Sequence, residues 1–307
     1  MNNVFSNNLK RLRQQKNLTQ EQAAEKLSVT AQTVSRWECD TTLPDVMLLP
    51  DIARLYCVTI DDLYKPNCIA YKNYASRLAS VYEATRDPQD FIQAEAEFKK
   101  LQKSGALTTE DMRVYGIIHQ YMMNYCKDKA NQLFDTVIQK GPENNLDTYN
   151  RTKYQQINFY AQIGKADETV SAQLERMKSY PDVSQEWCFL VAAYMCANRN
   201  NKAYEYFKQA ITKFPNEWEL YVHGGNICNR LKKYDEAFEY WNKADSLTTE
   251  NLDQKYSMAF CYEELEEYEK AYKIWCEIVD HLKNGGYDIE ASTEEKRAQK
   301  CFEKINN

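Results

Sequence analysis

An alanine followed four residues later by an aromatic side chain recurs in the last third of the chain, and its period constrains the fold more than any other feature. Three such pairs follow one another at intervals of 34 residues: Ala203/Phe207, Ala237/Trp241 and Ala271/Trp275. Residues four apart lie on one face of a helix. A fixed period of roughly 20–50 residues indicates stacked units that cannot bury their apolar faces alone, which predicts a solenoid.

The composition favours helices over strands. The 307 residues include 23 Tyr, 11 Phe and 5 Trp, but only 8 Gly and 7 Pro for turns. Looser copies of the pattern begin at Ala94 and Ala130. We therefore predict an all-α chain, with about six helical hairpins and a terminal helix near residues 293–305 that make up a second domain over residues 70–307.

These spacings resemble the tetratricopeptide repeat, which implies an α-solenoid of TPR-like helical hairpins with a concave groove. In that family the first helix of each hairpin supplies the groove, and Asn226, directly after Gly225, occupies one such position. An asparagine amide can bond both the N–H and the C=O of an extended peptide. The candidate peptide-binding residues are Asn158, Asn226, Asn229, Arg230 and Tyr154. They are equally compatible with ordinary exposed or inter-repeat roles.

The first 66 residues follow a different pattern. Thr19 and Gln22 form a capping box, which marks the start of a second helix after the apolar stripe of the first. A short turn over residues 28–30 follows, and Thr30 is placed to cap a third helix from Ala31 to about Glu38. Two short helices joined by a three-residue turn are typical of a DNA-binding motif.

Residues 18–38 resemble the helix-turn-helix of the phage repressor and Cro (XRE) family, and the resemblance extends over residues 4–64. It implies an N-terminal five-helix domain over residues 1–66. Two departures occur: Ser28 stands where the family commonly has glycine, and Cys39-Asp40 stands where it has Asn-Gly. A non-glycine residue in the left-handed conformation costs about 1–2 kcal/mol, which packing can absorb.

The resemblance also implies which residues contact double-stranded DNA, since the family lays its third helix in the major groove. Gln32 is the leading candidate, because its amide can pair with adenine N6 and N7. Gln20 resembles a phosphate contact, Arg13 and Glu38 resemble a structural ion pair, and we expect Trp37 in the core. The full set of candidate DNA contacts is Gln20, Thr30, Ala31, Gln32, Thr33, Ser35 and Arg36. The alternative is that Gln32, Ser35 and Arg36 merely form a solvent-exposed face of the third helix. The spacing of the turn between the second and third helices disfavours it.

The charge is divided between the two predicted domains. The net charge is −6, yet residues 1–37 hold six basic residues against two acidic ones, and residues 1–66 hold eight of each. The whole deficit therefore lies in residues 67–307, with 31 basic against 37 acidic residues. An acidic body behind a cationic head favours DNA docking through the head.

Several classes of function are disfavoured. We find no apolar run of about 20 residues, no secretory signal, and ten cysteines scattered without a CxxC pair, so we expect a cytoplasmic protein without a membrane partner. The three histidines lack metal-ligand spacing, and no glycine-rich phosphate loop occurs. We predict no metal, no cofactor and no catalytic residue, hence no enzyme.

The two domains together resemble the Rgg/PlcR group of peptide-pheromone receptors of Gram-positive bacteria. That resemblance implies a homodimer, with the last repeats and the terminal helix as the dimer surface, modulated by a short peptide in the groove. A regulator whose groove binds a protein partner instead of a peptide is the alternative. The sequence does not distinguish activation from repression.

Overall fold

A computed structural model of the chain describes residues 4–66, 68–248 and 250–306. All regular elements in these ranges are helices, and no strand occurs among them. The predicted all-α class is confirmed. The chain forms two compact units, residues 1–130 and 131–307.

The first unit begins with five short helices, as predicted for the head. They are α1 (Val4–Gln15), α2 (Gln20–Lys26), α3 (Ala31–Glu38), α4 (Leu49–Tyr56) and α5 (Ile60–Leu63), with a 3-10 turn at Val46–Leu48 before α4. Their apolar faces meet in one core, in which Phe5, Leu12, Trp37, Ile52 and Leu63 are almost completely buried. Trp37 therefore lies in the core, as we expected.

Capping fixes where these helices begin. The Thr19 hydroxyl accepts from the Gln22 backbone N–H at 3.2 Å, and the Gln22 side chain accepts from the Thr19 N–H at 2.9 Å. Thr30 accepts in the same way from the N–H of Thr33. Ser28 in the intervening turn has φ +54°, so the serine adopts the left-handed conformation that its departure from the family pattern predicts.

The first unit continues with three longer helices, α6 (Tyr74–Thr85), α7 (Pro88–Lys103) and α8 (Thr109–Gln139), the last of which runs on into the second unit. The hairpin α6/α7 and the first part of α8 share a core that is separate from that of the head. Ala79, Tyr82, Ala94, Phe98 and Ile118 are its most buried members. The first unit thus contains two hydrophobic cores.

The second unit contains four helical hairpins and a terminal helix in the described part of the chain. Their helices are α9 (Leu146–Gln162), α10 (Ala166–Ser179), α11 (Ser184–Cys196), α12 (Asn200–Lys213), α13 (Trp218–Arg230), α14 (Tyr234–Leu247), α15 (Asp253–Glu264), α16 (Tyr268–Asn284) and α17 (Asp288–Ile305). One left-handed residue closes each hairpin turn: Gly164, Asn198, Lys232 and Glu266. The TPR-like architecture that the 34-residue period predicts is therefore present.

The periodic alanines and aromatic residues form the cores of these hairpins. Ala203, Phe207, Ala237, Trp241, Ala271 and Trp275 have no exposed surface. Gly225 on α13 lies so close to Trp241 that a Cβ atom would overlap the indole, and Gly224 stands in the same relation to the ring of Phe207. The small residues therefore let helices approach, and the aromatic rings fill the space beside them.

One predicted hairpin is absent. A looser copy of the repeat pattern begins at Ala130, but α8 runs through this region as a single helix of 31 residues. Its only glycine, Gly116, keeps helical geometry, and α8 contains no left-handed residue at which the chain could reverse. Ala130 and Phe134 are accordingly only half-buried, unlike the equivalent pairs downstream.

No helix in the described ranges is long and apolar enough to cross a bilayer.

Candidate nucleic-acid interface and ligand groove

Helix α3 has one apolar face and one polar face. Val34 and Trp37 are buried in the head core, whereas Gln32 and Arg36, one helical turn apart, are exposed. Neither the Gln32 amide nor the Arg36 guanidinium has a side-chain hydrogen bond to any described residue. Both side chains are therefore available to an external partner on one edge of the helix.

The other candidate contacts on α3 are less accessible. Ala31, Thr33 and Ser35 are half-buried, and the hydroxyls of Thr30 and Thr33 lie 2.8 Å apart, within hydrogen-bonding distance. Since Thr30 also caps the helix, its hydroxyl is already committed to the backbone of α3. The structure therefore brings all six residues to α3 and its N-cap. Thr30, Gln32 and Arg36 are exposed, and of these three the Thr30 hydroxyl is engaged in capping.

A buried carboxylate ties the first three helices together. Glu38 accepts two hydrogen bonds from Arg13, at 2.6 Å from Nε and 2.9 Å from Nη2, and a third from Gln20 Nε2 at 2.9 Å. The hydrogen bond to Glu38 raises the pKa of Arg13, and burial only partly opposes this. The predicted ion pair of Arg13 and Glu38 is confirmed, and it also holds the side chain of Gln20 in place.

In the second unit, the first helices of successive hairpins lie side by side, α9 against α11, α11 against α13 and α13 against α15. We call the surface that these four helices share the first-helix face. It carries all five candidate groove residues, Asn158 and Tyr154 on α9 and Asn226, Asn229 and Arg230 on α13.

The side-chain carbonyls of the three candidate asparagines are already engaged. Asn226 Oδ1 accepts from the indole N–H of Trp241 at 3.1 Å, and Asn158 and Asn229 accept from the thiols of Cys196 and Cys261. Each amide thus retains its N–H donors and one of the two acceptor lone pairs of its oxygen. An asparagine held in this way has a fixed orientation, with its N–H donors unengaged and its oxygen partly engaged.

Arg230 has a structural contact. Its Nη1 donates to the backbone carbonyl of Met195 at 2.7 Å, and the same carbonyl also accepts from the backbone N–H of Asn198 at the end of α11. The guanidinium therefore joins two neighbouring first helices.

Beside Tyr154, the first-helix face contains a cavity of about 450 Å³ that the sequence did not predict. Its walls come from the beginnings of α9, α11, α13 and α15, and its lining is Asp147, Asn150, Arg151, Tyr154, Gln185, Glu217, Trp218, Glu219, Asn251 and Asp253. A periodic signal was present, because Gln185, Glu219 and Asp253 are separated by 34 residues each.

Tyr154 lies at the centre of a polar network beside this cavity. Its hydroxyl accepts from Gln185 Nε2 at 3.1 Å and lies 3.2 Å from Nε2 of His223. Burial lowers the pKa of His223 to about 4, so the imidazole is neutral at pH 7. The network therefore joins α9, α11 and α13 without a buried positive charge. No group of three or more His, Cys, Asp or Glu side chains in the described ranges could hold a metal ion.

Comparison with known proteins places the strongest similarity in the head. Residues 9–63 match the Helix-turn-helix family. The chain is 44% identical over 59 residues to the HTH-type transcriptional activator BcrR of Enterococcus faecalis, an alignment of 19% of this chain and 29% of that protein. It is 30% identical over 115 residues to the HTH-type transcriptional regulator YqaE of Bacillus subtilis, which covers 36% of this chain and 94% of that protein.

Two solved structures align over longer stretches at low similarity. A crystal structure of MamA aligns with 48% of this chain and 94% of its own, at 20% identity and a TM-score of 0.35. Bacillus thuringiensis PlcR, crystallised with the peptide PapR7 and DNA, aligns with 89% of this chain and 99% of its own, at 16% identity and a TM-score of 0.29.

Proposed function

Since this chain belongs to the family of helix-turn-helix transcriptional regulators, we propose that it is a cytoplasmic, non-enzymatic regulator that binds operator DNA as a homodimer. Residues 1–66 form the DNA-binding domain, and residues 70–307 sense a ligand and dimerise. The ligand is a short peptide that binds the first-helix face and shifts the protein between states of different DNA affinity.

The main observation behind this proposal is that α3 exposes two polar side chains on one edge. A capped helix, held from behind by the buried Arg13 and Glu38 pair, offers Gln32 and Arg36 to solvent from an otherwise buried scaffold. An amide and a guanidinium one turn apart suit adenine and guanine edges in the major groove. Gln20, Thr30, Ala31, Thr33 and Ser35 flank them as further base or phosphate contacts.

Dimerisation follows from the size of the head. One such domain makes few base contacts, whereas two heads on half-sites about 34 Å apart double the contact set. Helix α17 exposes two large apolar side chains, Ile289 and Phe302. The two lie on different faces of α17, and Phe302, which packs beside Tyr272 of α16, supports the last repeats and α17 as the dimer surface.

Support for a peptide ligand comes from the first-helix face. Asn158, Asn226 and Asn229 present amide N–H donors from two of its helices, and Tyr154 borders a cavity large enough for a side chain. Donors on successive helices suit the regularly spaced carbonyls of an extended peptide.

The decisive experiment is selection of DNA fragments from the source genome by the purified full chain, with an excess of competitor DNA. We expect a shared palindromic sequence whose half-sites are one helical turn, or a multiple of it, apart. If no fragment is enriched over competitor, even when cell extract is supplied, the regulator proposal is wrong.

A further inference from the structure

We infer that the cavity beside Tyr154 binds a positively charged group of the peptide ligand, either its N-terminal ammonium or a lysine or arginine side chain. The inference rests on the proposed function, because it specifies the chemistry of the peptide that the first-helix face accepts. Three properties of the cavity lead to it: its carboxylates, one unpartnered carbonyl oxygen and its aromatic wall.

The carboxylates of the cavity lack basic partners. Among the described residues, no lysine, arginine or histidine forms an ion pair with Glu217, Glu219 or Asp253. Within the described ranges, the Glu217 side chain accepts a hydrogen bond only from the hydroxyl of Ser184, at 2.7 Å. The one basic residue in the lining, Arg151, is 3.8 Å from Asp147, and both side chains are largely exposed. The cavity therefore carries uncompensated negative charge.

A buried carbonyl oxygen points to the same kind of ligand. Asn150 Nδ2 donates to Gln185 Oε1 at 3.3 Å, which fixes the orientation of the amide. The opposite atom, Asn150 Oδ1, has no exposed surface and no hydrogen-bond partner. A buried acceptor without a donor is costly, and each such atom in a folded protein needs a reason. Rotation of the Asn150 amide towards the cavity would bring this acceptor to a ligand with N–H donors.

Helix-dipole compensation explains part of this arrangement but not all of it. Glu219 and Asp253 lie in the first turns of α13 and α15, where acidic side chains stabilise a helix. Dipole compensation works equally well in full solvent, however, and Glu219 is half-buried at the cavity. Burial raises the pKa of Glu219 despite hydrogen bonds from Tyr154 and Gln185. The carboxylate is thus held where a cation stabilises it more than water does.

The indole of Trp218 completes the wall on α13. An ammonium or guanidinium group over an indole gains a cation–π interaction, which is stronger for Trp than for other aromatic residues. Carboxylate, free carbonyl and indole together match a peptide cation and disfavour a peptide carboxylate.

The test uses the full chain and synthetic random octapeptides as probes. One pool has free N-termini, a second is N-acetylated, and a third is N-acetylated with norleucine and citrulline in place of lysine and arginine. Retained peptides are identified by mass spectrometry for wild type, for Glu219→Gln with Asp253→Asn, and for the control Glu239→Gln. Glu239 is exposed on α14, outside the cavity lining. Spermidine serves as a competitor that carries the same charge without a peptide.

We expect wild type and Glu239→Gln to retain cationic peptides about tenfold or more better than the third pool, and the double variant to lose this preference. Which of the first two pools is enriched distinguishes the N-terminal ammonium from a side chain. Retention of peptides regardless of charge, or a preference unchanged in the double variant, overturns this inference and leaves peptide regulation intact. If no peptide is retained and only spermidine binds, both the peptide ligand and this inference are wrong.

Discussion

The guanidinium of Arg77 on α6 forms two hydrogen bonds with the carboxylate of Asp62 on α5, at 2.6 Å and 2.9 Å. The same carboxylate caps α5 through the N–H of Thr59. Burial disfavours ionisation of Asp62, but the hydrogen bonds from Arg77 and Thr59 outweigh it, and its pKa lies below the usual value. The last helix of the head is thereby fixed to α6, and Arg54 on α4 forms a second ion pair with Glu97 on α7.

We predict that Arg77→Ala destabilises this junction by about 2 kcal/mol, because it leaves a partly buried carboxylate without its cation. Hydrogen–deuterium exchange of the full chain should show faster exchange of the amides of α5 and α6. Arg113→Ala is the control, since it removes an exposed pair with Glu110 within one helix and should leave the exchange of α5 and α6 unchanged. Equal protection in Arg77→Ala and wild type would mean that the contact contributes nothing.

The neutral His223 makes stability depend on pH. Its pKa is about 4 in the folded chain and about 6.5 when unfolded. The unfolded state therefore binds more protons between these values, and stability is full above about pH 6.5 and falls as pH drops towards 4. Urea unfolding measured between about pH 6.5 and about pH 4 gives the free energy of unfolding of each variant. His223→Gln should abolish up to about 3 kcal/mol of the decrease seen in the wild type. The exposed His281→Gln should keep the wild-type slope, and an identical slope in His223→Gln would contradict the assignment.

The exposed amide of Gln32 is predicted to read a base. Gln32→Ala should weaken binding to the selected operator by about 1–3 kcal/mol while sparing random DNA, measured by fluorescence anisotropy at one salt concentration. Gln14→Ala on the exposed side of α1 is the matched change and should leave both affinities unaltered. Equal losses on operator and random DNA would show that Gln32 contacts only the phosphate backbone.

The close approach at Gly225 predicts opposite effects for two glycine substitutions. Gly225→Ala should destabilise the chain by about 1–3 kcal/mol, because the new methyl group overlaps the Trp241 indole. Gly116→Ala meets open space within α8 and should stabilise it by up to about 1 kcal/mol. The melting temperatures of both variants test these predictions. Similar changes in melting temperature would show that the α13 backbone moves away from Trp241 and accommodates the methyl group.

Local chemistry made much of the fold predictable. The hydroxyls of Thr19 and Thr30 mark helix starts because capping involves residues only three positions apart. The buried Trp37 and the aromatic pairs of the repeats follow from helical periodicity, which is also local. The all-α class and the five-helix head were therefore accessible from the sequence.

Features that depend on several distant segments were not predictable from the sequence. Helix α8 continues past Ala130 because no residue near this position breaks the helix. The repeat pattern marks which residues pack together and does not show whether a helix ends between them. The cavity combines side chains from four helices, so neither Asp253 nor Glu219 is notable alone. Likewise, the thiols of Cys196 and Cys261 occupy the asparagine carbonyls only because neighbouring hairpins stack. The predicted DNA and peptide contacts remain predictions for the experiments above.

The corners of the hairpins have a practical consequence. Asn198, Lys232 and Glu266 hold a backbone shape that suits glycine. For Lys232 and Glu266 this costs roughly 1–2 kcal/mol, whereas asparagine adopts the shape more readily. The packing of the two helices on either side fixes the shape of each turn, whichever residue occupies it, and so the strain is tolerated. Glycine replacements at these corners therefore offer a route to a more heat-resistant protein that leaves both the DNA-reading edge and the ligand surface untouched.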